Sequence, residues 1–156
     1  MSFFKKYKMQ LIYVVITLLA GGLSALITGG FDIYTSMKQP PLAPPPIVFP
    51  IVWSGLYILM GISAGTVSDS NDLDRFLGLK LYFLQLALNV TWPIIFFRFK
   101  GIKFALFWLV LIIIAVIAVL KEFKSISKTA SRLLYPYVLW LFVAFYLNFG
   151  FIILNS

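Results

Sequence analysis

Hydrophobic positions in this chain do not alternate with polar ones; they run together in blocks that charged residues separate. Met9 to Phe31, Gln39 to Ser68, Leu81 to Phe97, Phe104 to Leu120 and Leu133 to Ser156 carry no charge at all. A helix rises about 1.5 Å per residue, so about 20 apolar residues cross a hydrocarbon core about 30 Å thick. The blocks predict an all-α integral membrane protein: a five-transmembrane-helix bundle with helices near 9–29, 47–67, 77–97, 103–122 and 132–154, in one domain covering 1–156. Lys5, Lys6 and Lys8 ahead of the first block are what a secretory signal would also show. The block is too long for a signal's apolar region of roughly 7–15 residues, so the first helix is expected to stay as a span.

One stretch breaks the helical pattern. Pro40, Pro41, Pro44, Pro45, Pro46 and Pro50 fall between Gln39 and Pro50, and each fixes φ and removes a backbone donor. An extended, polyproline-like path is expected there, in an outer loop at 30–46 that serves either as a spacer or as a lid over a site.

Charge sets the expected orientation. With five spans, Lys5, Lys6, Lys8, Arg75, Lys80, Lys121, Lys124, Lys128 and Arg132 share one side, and only Lys38, Arg98, Lys100 and Lys103 the other. Cations concentrate in cytoplasmic loops. The amino terminus is therefore expected in the cytoplasm and the carboxyl terminus outside, in a bacterial cytoplasmic membrane.

Composition then narrows the chemistry. The chain is 62% hydrophobic and 12% charged, where a soluble domain carries about 25% charged residues; lipid is the implied solvent and partner. The net charge of +8 is spread between apolar blocks, which reads as topology and headgroup anchoring rather than nucleic-acid binding. Histidine and cysteine are absent, which removes Ser-His and Cys-His nucleophiles, most metal sites and disulfides; no metal and no cofactor are expected. All five acids, Asp32, Asp69, Asp72, Asp74 and Glu122, fall at the ends of the spans or between them, which leaves no intramembrane carboxylate and argues against a proton-coupled pump.

Side chains at helical spacing mark inward faces. Thr17, Gly21, Ser24 and Thr28 form such a stripe on the first helix, and Trp53, Tyr57, Gly61 and Ala64 on the second. Gln85, Asn89, Trp92 and Phe96 do so on the third, and Tyr137, Trp140, Ala144 and Asn148 on the fifth. The fourth is almost wholly aliphatic between Trp108 and Leu120 and is the poorest pocket wall. Helix packing accounts for the small residues, since Gly61 and Gly65 make a GxxxG and Gly21, Ala25 and Gly29 a small-xxx-small ladder. Aromatics converging with amides suggest a pocket. Pro93 strips the Asn89 carbonyl of its helical partner and is expected to kink the third helix.

Two tempting motifs fail. Asp69, Asn71, Asp72 and Asp74 echo a calcium loop, but Asp74 stands where the loop needs glycine and Lys80 where it needs glutamate; these acids are expected to cap the third helix. Asn89-Val90-Thr91 matches a glycosylation sequon inside a span and is read as chance.

Longer blocks carry a resemblance. Pro40-Pro41-Leu42-Ala43-Pro44-Pro45 followed by Val52-Trp53-Ser54-Gly55-Leu56-Tyr57-Ile58-Leu59-Met60-Gly61 resembles the translocator protein family, which includes bacterial tryptophan-rich sensory proteins and peripheral benzodiazepine receptors. Gln85 to Asn89 with Trp92 to Phe97, and Arg132 to Tyr137 with Trp140, Ala144, Leu147 and Asn148, agree in order. The resemblance implies a homodimer with a pocket opening toward the first outer loop, lined by Trp53, Tyr57, Asn89, Trp92, Trp140, Ala144 and Leu147. It implies porphyrin ligands such as protoporphyrin IX. Lys38, Arg98, Lys100 and Lys103 could meet the propionates at the mouth; the other reading of these cations, above all of Lys100 and Lys103, is anchoring to lipid phosphates. Ile33, Leu42, Ile47 and Phe104 stand where many relatives place tryptophan, which leaves less stacking surface for a flat ligand. The expected function is a porphyrin receptor or carrier. A light-dependent porphyrin-degrading enzyme using Trp53 and Trp140 is the alternative, and a small-molecule transporter the third.

Overall fold

Long apolar blocks leave the backbone no partner in lipid except itself, so each closes into a helix. The computed structural model describes residues 2–156, with no strand among them. The long helices are α1 (Lys8–Thr28), α2 (Val48–Ser68), α3 (Arg75–Pro93), α4 (Ile102–Ile126) and α5 (Tyr135–Asn155). The bundle contains five helical spans long and apolar enough to cross a membrane. This is an integral membrane protein. α4 runs past the expected end at 122 because Phe123 is fully buried, against Gly78 and the ring of Tyr82, whose centroid is 6.2 Å away. The expected fifth helix is divided: a short helix, Lys128–Leu133, capped by the Ser127 hydroxyl, precedes α5, which starts with Pro136 in its first turn.

Lipid tails are as apolar as leucine, so helices here associate through close packing and polar contacts rather than through escape from water. α1 and α2 meet most closely at the GxxxG glycines of α2, Gly61 and Gly65. A Cβ at Gly61 would lie 2.4 Å from the Val14 Cα, and one at Gly65 2.4 Å from the Gln10 Cα. Further along the pair, the Tyr57 ring stands against Gly21, and beyond it the helices part around a cavity. The ladder expected at Gly21, Ala25 and Gly29 is therefore not a continuous helix contact. Ala25 is exposed, and nothing would lie within 4 Å of a Cβ at Gly29.

α3 gives way at Pro93 to a π-helical turn, Ile94–Arg98, in which the Phe99 amide donates to the Ile94 carbonyl at 3.0 Å. Losing a backbone donor at proline is a standard cause of such a register change.

The proline-rich segment is not the extended strap that its composition predicts. The loop between α1 and α2, the outer loop of the expected orientation, contains the short helix Asp32–Ser36, a turn closed by the Ala43 amide on the Pro40 carbonyl, and a left-handed Leu42 at φ 64°. α2 begins at Val48, with Pro50 in its first turn, where a missing donor breaks no helical bond. The loop is fastened to α5. Asn155 accepts from the Lys38 amide through Oδ1 at 2.9 Å and donates to the Lys38 carbonyl through Nδ2 at 2.9 Å. Tyr146 donates to the Pro41 carbonyl at 2.7 Å, and Pro40 occupies the notch left by Gly150. At the α2–α3 turn the expected caps are absent: Asp74 flanks α3 with no side-chain cap, while Asp72 Oδ1 accepts from the Asp74 amide and shapes the turn.

Candidate functional site

The four polar or small residues of the α1 stripe, Thr17, Gly21, Ser24 and Thr28, are the buried residues of that helix. Each hydroxyl has a different fate. Thr17 Oγ1 is 2.5 Å from the Tyr82 hydroxyl, and Ser24 donates to the Val90 carbonyl. Thr28 Oγ1 is buried without a partner.

A chain of hydrogen bonds crosses the bundle behind this face. The Tyr57 hydroxyl donates to Asn89 Oδ1 at 3.0 Å, Asn89 Nδ2 donates to the Tyr137 hydroxyl at 2.8 Å, and Tyr137 donates to Gln85 Oε1 at 2.8 Å. All four side chains are buried. A buried amide in an apolar interior is tolerated because it is paired, and here the pairing ties α2, α3 and α5 together. Trp53 closes the network on one side, stacked on Tyr57 at 5.4 Å and edge-on to Tyr137 at 6.1 Å.

In front of the network lies a cavity of about 210 Å³ between α1, α2 and α3. Its walls include Ser24, Ala25 and Thr28 of α1, Trp53 and Tyr57 of α2, and Asn89, Trp92 and Phe97 of α3 and its π turn. A second, nearly filled space of about 20 Å³ lies between Trp140, Ala144, Leu147 and Asn148 of α5 and the Tyr34 ring from the outer loop. Phe49, Trp53, Trp92 and Phe97 line both spaces and divide them. The seven residues named from the resemblance thus fall into two groups. Trp53, Tyr57, Asn89 and Trp92 face the larger cavity, whereas Trp140, Ala144 and Leu147 face the smaller one, with Trp53 and Trp92 shared. No residue of α4 lines either space. Its start is used otherwise: the Trp92 indole donates to the Ala105 carbonyl at 3.0 Å, so that the ring offers a ligand its faces and not its N–H.

Sequence reasoning missed Tyr34, Phe31, Phe49 and Phe97. Tyr34 is 1% exposed, its hydroxyl donates to the Pro44 carbonyl at 2.5 Å, and its ring sits 5.1 Å from Phe49 and 5.2 Å from Phe151. Of the α1 residues of the cavity, the spacing gives Gly21, Ala25 and Gly29 to packing and places Ser24 and Thr28 on an inward stripe without a role in a pocket.

A third recess, of about 330 Å³, opens from the outer end of the larger cavity; Thr28 and Phe97 line both. Its other walls include Asp32, Ser36 and Lys100. Of the four outer cations expected at the mouth, only Lys100 lines this recess. Arg98 is committed to the carbonyl of Ile27 at 2.7 Å, which it holds at the end of α1.

The profile of the TspO/MBR family matches residues 12–154, nearly the whole chain and every helix that forms these spaces. The chain belongs to the TspO/MBR family. Among relatives, it is 38% identical to protein CrtK of Rhodobacter capsulatus over 142 residues, covering 89% of this chain and 88% of that protein. It is 36% identical to the tryptophan-rich protein TspO of Chlorobaculum tepidum, covering 78% of each. The human translocator protein is 37% identical over 77% of this chain and 73% of its own. Family membership and the five apolar helices agree on an integral membrane protein.

Proposed function

We propose that this protein binds a flat, amphipathic tetrapyrrole of the porphyrin type within the bundle, and that it acts as a receptor or carrier for it. One observation carries the reading: a cavity of about 210 Å³ is faced by Trp53, Tyr57 and Trp92, with the Asn89 amide as a directional polar group on its wall. Apolar walls with a few placed polar groups are how proteins hold such ligands. The cavity falls below the roughly 300–1,000 Å³ usual for small-molecule pockets. A macrocycle therefore enters edge-on, with Phe49 and Trp53 swinging to join the larger space to the one beside Trp140, Ala144 and Leu147. Relatives named translocator protein and tryptophan-rich sensory protein support a role in sensing or moving a small molecule.

The test is a titration of the purified protein with protoporphyrin IX, read from the porphyrin absorbance band and from tryptophan quenching. Saturable binding is expected. Ala25 lies on the cavity wall and is exposed, so Ala25→Phe should fill the space without unseating a neighbour and weaken binding about tenfold, or about 1.4 kcal/mol. Absence of saturable binding in the unsubstituted protein rejects the reading. An unchanged affinity in Ala25→Phe moves the ligand elsewhere.

The amino terminus is placed in the cytoplasm and the carboxyl terminus outside, from the excess of cations on the loops that share the amino-terminal side. A phosphatase fused after Ser156 should be active only when exported. Activity of a cytoplasmic-type reporter at the same junction would reverse the assignment.

A further inference from the structure

The recess above the cavity is unlike the cavity itself. Its walls carry one carboxylate, Asp32, and one ammonium, Lys100, and among the described residues neither is held in an ion pair. At its junction with the apolar cavity stands Thr28, only 8% exposed, whose hydroxyl oxygen has no hydrogen-bond partner. A buried hydroxyl left unpaired is costly, and this one lies where a ligand passing from one space to the other would meet it.

We propose that this recess is a head-group subsite for a zwitterionic ring amphiphile, one that carries an ammonium and a carboxylate at the same end. The assignment rests on the reading that the cavity takes the ring. The ligand's carboxylate pairs with Lys100 and accepts from the Thr28 hydroxyl, and its ammonium pairs with Asp32. A ligand with two carboxylates at that end gains Lys100 but sets its second charge against Asp32; one with a lone ammonium meets Lys100 with like charge. Asp32 therefore acts as a specificity-determining residue, favouring mixed charge over like charge. Both groups are exposed, so the discrimination is modest and weakens with salt.

Pyrene probes separate this subsite from the porphyrin reading, because they share a flat ring and a two-carbon tether and differ in the charged groups it carries: pyrenylalanine is zwitterionic, pyrenepropionate anionic and pyrenylethylamine cationic. Binding is read as tryptophan-to-pyrene energy transfer in a maltoside detergent, whose head group is uncharged, with partition into empty micelles subtracted. Pyrenylalanine should bind about fivefold tighter than either singly charged probe, as exposed charge pairs allow. Asp32→Asn should remove its advantage over pyrenepropionate, and Lys100→Gln its advantage over pyrenylethylamine. Raising the salt should shrink both advantages in the unsubstituted protein. Equal affinities for the three probes, preferences untouched by either substitution, or no binding of any probe would each overturn the subsite. Protoporphyrin IX in the same assay reports separately: its failure beside tight pyrenylalanine binding rejects the porphyrin and leaves the subsite standing.

Discussion

Gly65→Leu is expected to destabilise the bundle more than any other single substitution on the inward faces. The Cβ alone would fall 2.4 Å from the Gln10 Cα and 2.6 Å from the Gln10 nitrogen. These are backbone atoms of α1, which cannot turn aside as a side chain can. Overpacking in a core costs about 1–3 kcal/mol when neighbours adjust, and here the only adjustment is to push two helices apart. Separation removes the α1–α2 packing that stands in for a hydrophobic driving force inside lipid. Gly61→Val should act alike, since its Cβ would meet the Val14 backbone. Gly22→Ala and Gly55→Ala are the controls, because nothing lies within 4 Å of a Cβ at either position. The measurement is the unfolding midpoint on adding denaturing detergent to the maltoside-solubilised protein. A midpoint for Gly65→Leu equal to those of the controls would reject the close approach.

The second large effect is expected at Asn89. Leucine there keeps the branched outline, at a larger volume, but leaves the buried Tyr57 hydroxyl without its acceptor and removes the donor to Tyr137. A buried polar group stripped of its partner costs about 1–3 kcal/mol. Polar pairs within membrane bundles average less, about 0.6 kcal/mol, so a loss of about 1–2 kcal/mol is expected. Tyr57→Phe removes the orphaned donor. In an Asn89→Leu/Tyr57→Phe protein the combined loss should therefore be smaller than the sum of the two single losses, because contacting residues do not act additively. Strict additivity in the same unfolding assay would show that the Tyr57–Asn89 bond carries no coupling energy.

Much of this was legible in the sequence. Five charge-free blocks suffice for five spans, because lipid leaves the backbone only one economical solution. Polar residues inside such blocks have one place to go, and so the spacing of Thr17, Gly21, Ser24 and Thr28 marked the buried face of α1. Pro93 announced the break in α3. What stayed hidden depends on contacts between distant segments. Tyr34 and Phe49 lie in or beside the proline-rich loop, where no helical period assigns a direction to a side chain, so their convergence on α5 was invisible. The prolines fixed local φ but not the path between them, and the turns follow from hydrogen bonds such as Ala43 to Pro40. The acids before α3 suggested a cap by composition; the carboxylate of Asp72 was taken by a tighter local turn. The division of the site into two spaces depends on where Phe49 and Trp53 rest their rings, and spacing carries no information on that.

The fastening of the outer loop to α5 has a mechanical corollary. Asn155, Tyr146 and the notch at Gly150 grip three neighbouring points of the loop, so lifting the roof from α5 means breaking all three contacts. On the opposite side the same roof meets α1 through Gly29 and Gly30, and Gly29 has φ 81°, a conformation that side chains resist. The fastened seam at α5 thus borders the smaller space and the glycine seam at α1 the larger one. For the ligand proposed above, widening the larger space at its glycine border would require no hydrogen bond between roof and α5 to break.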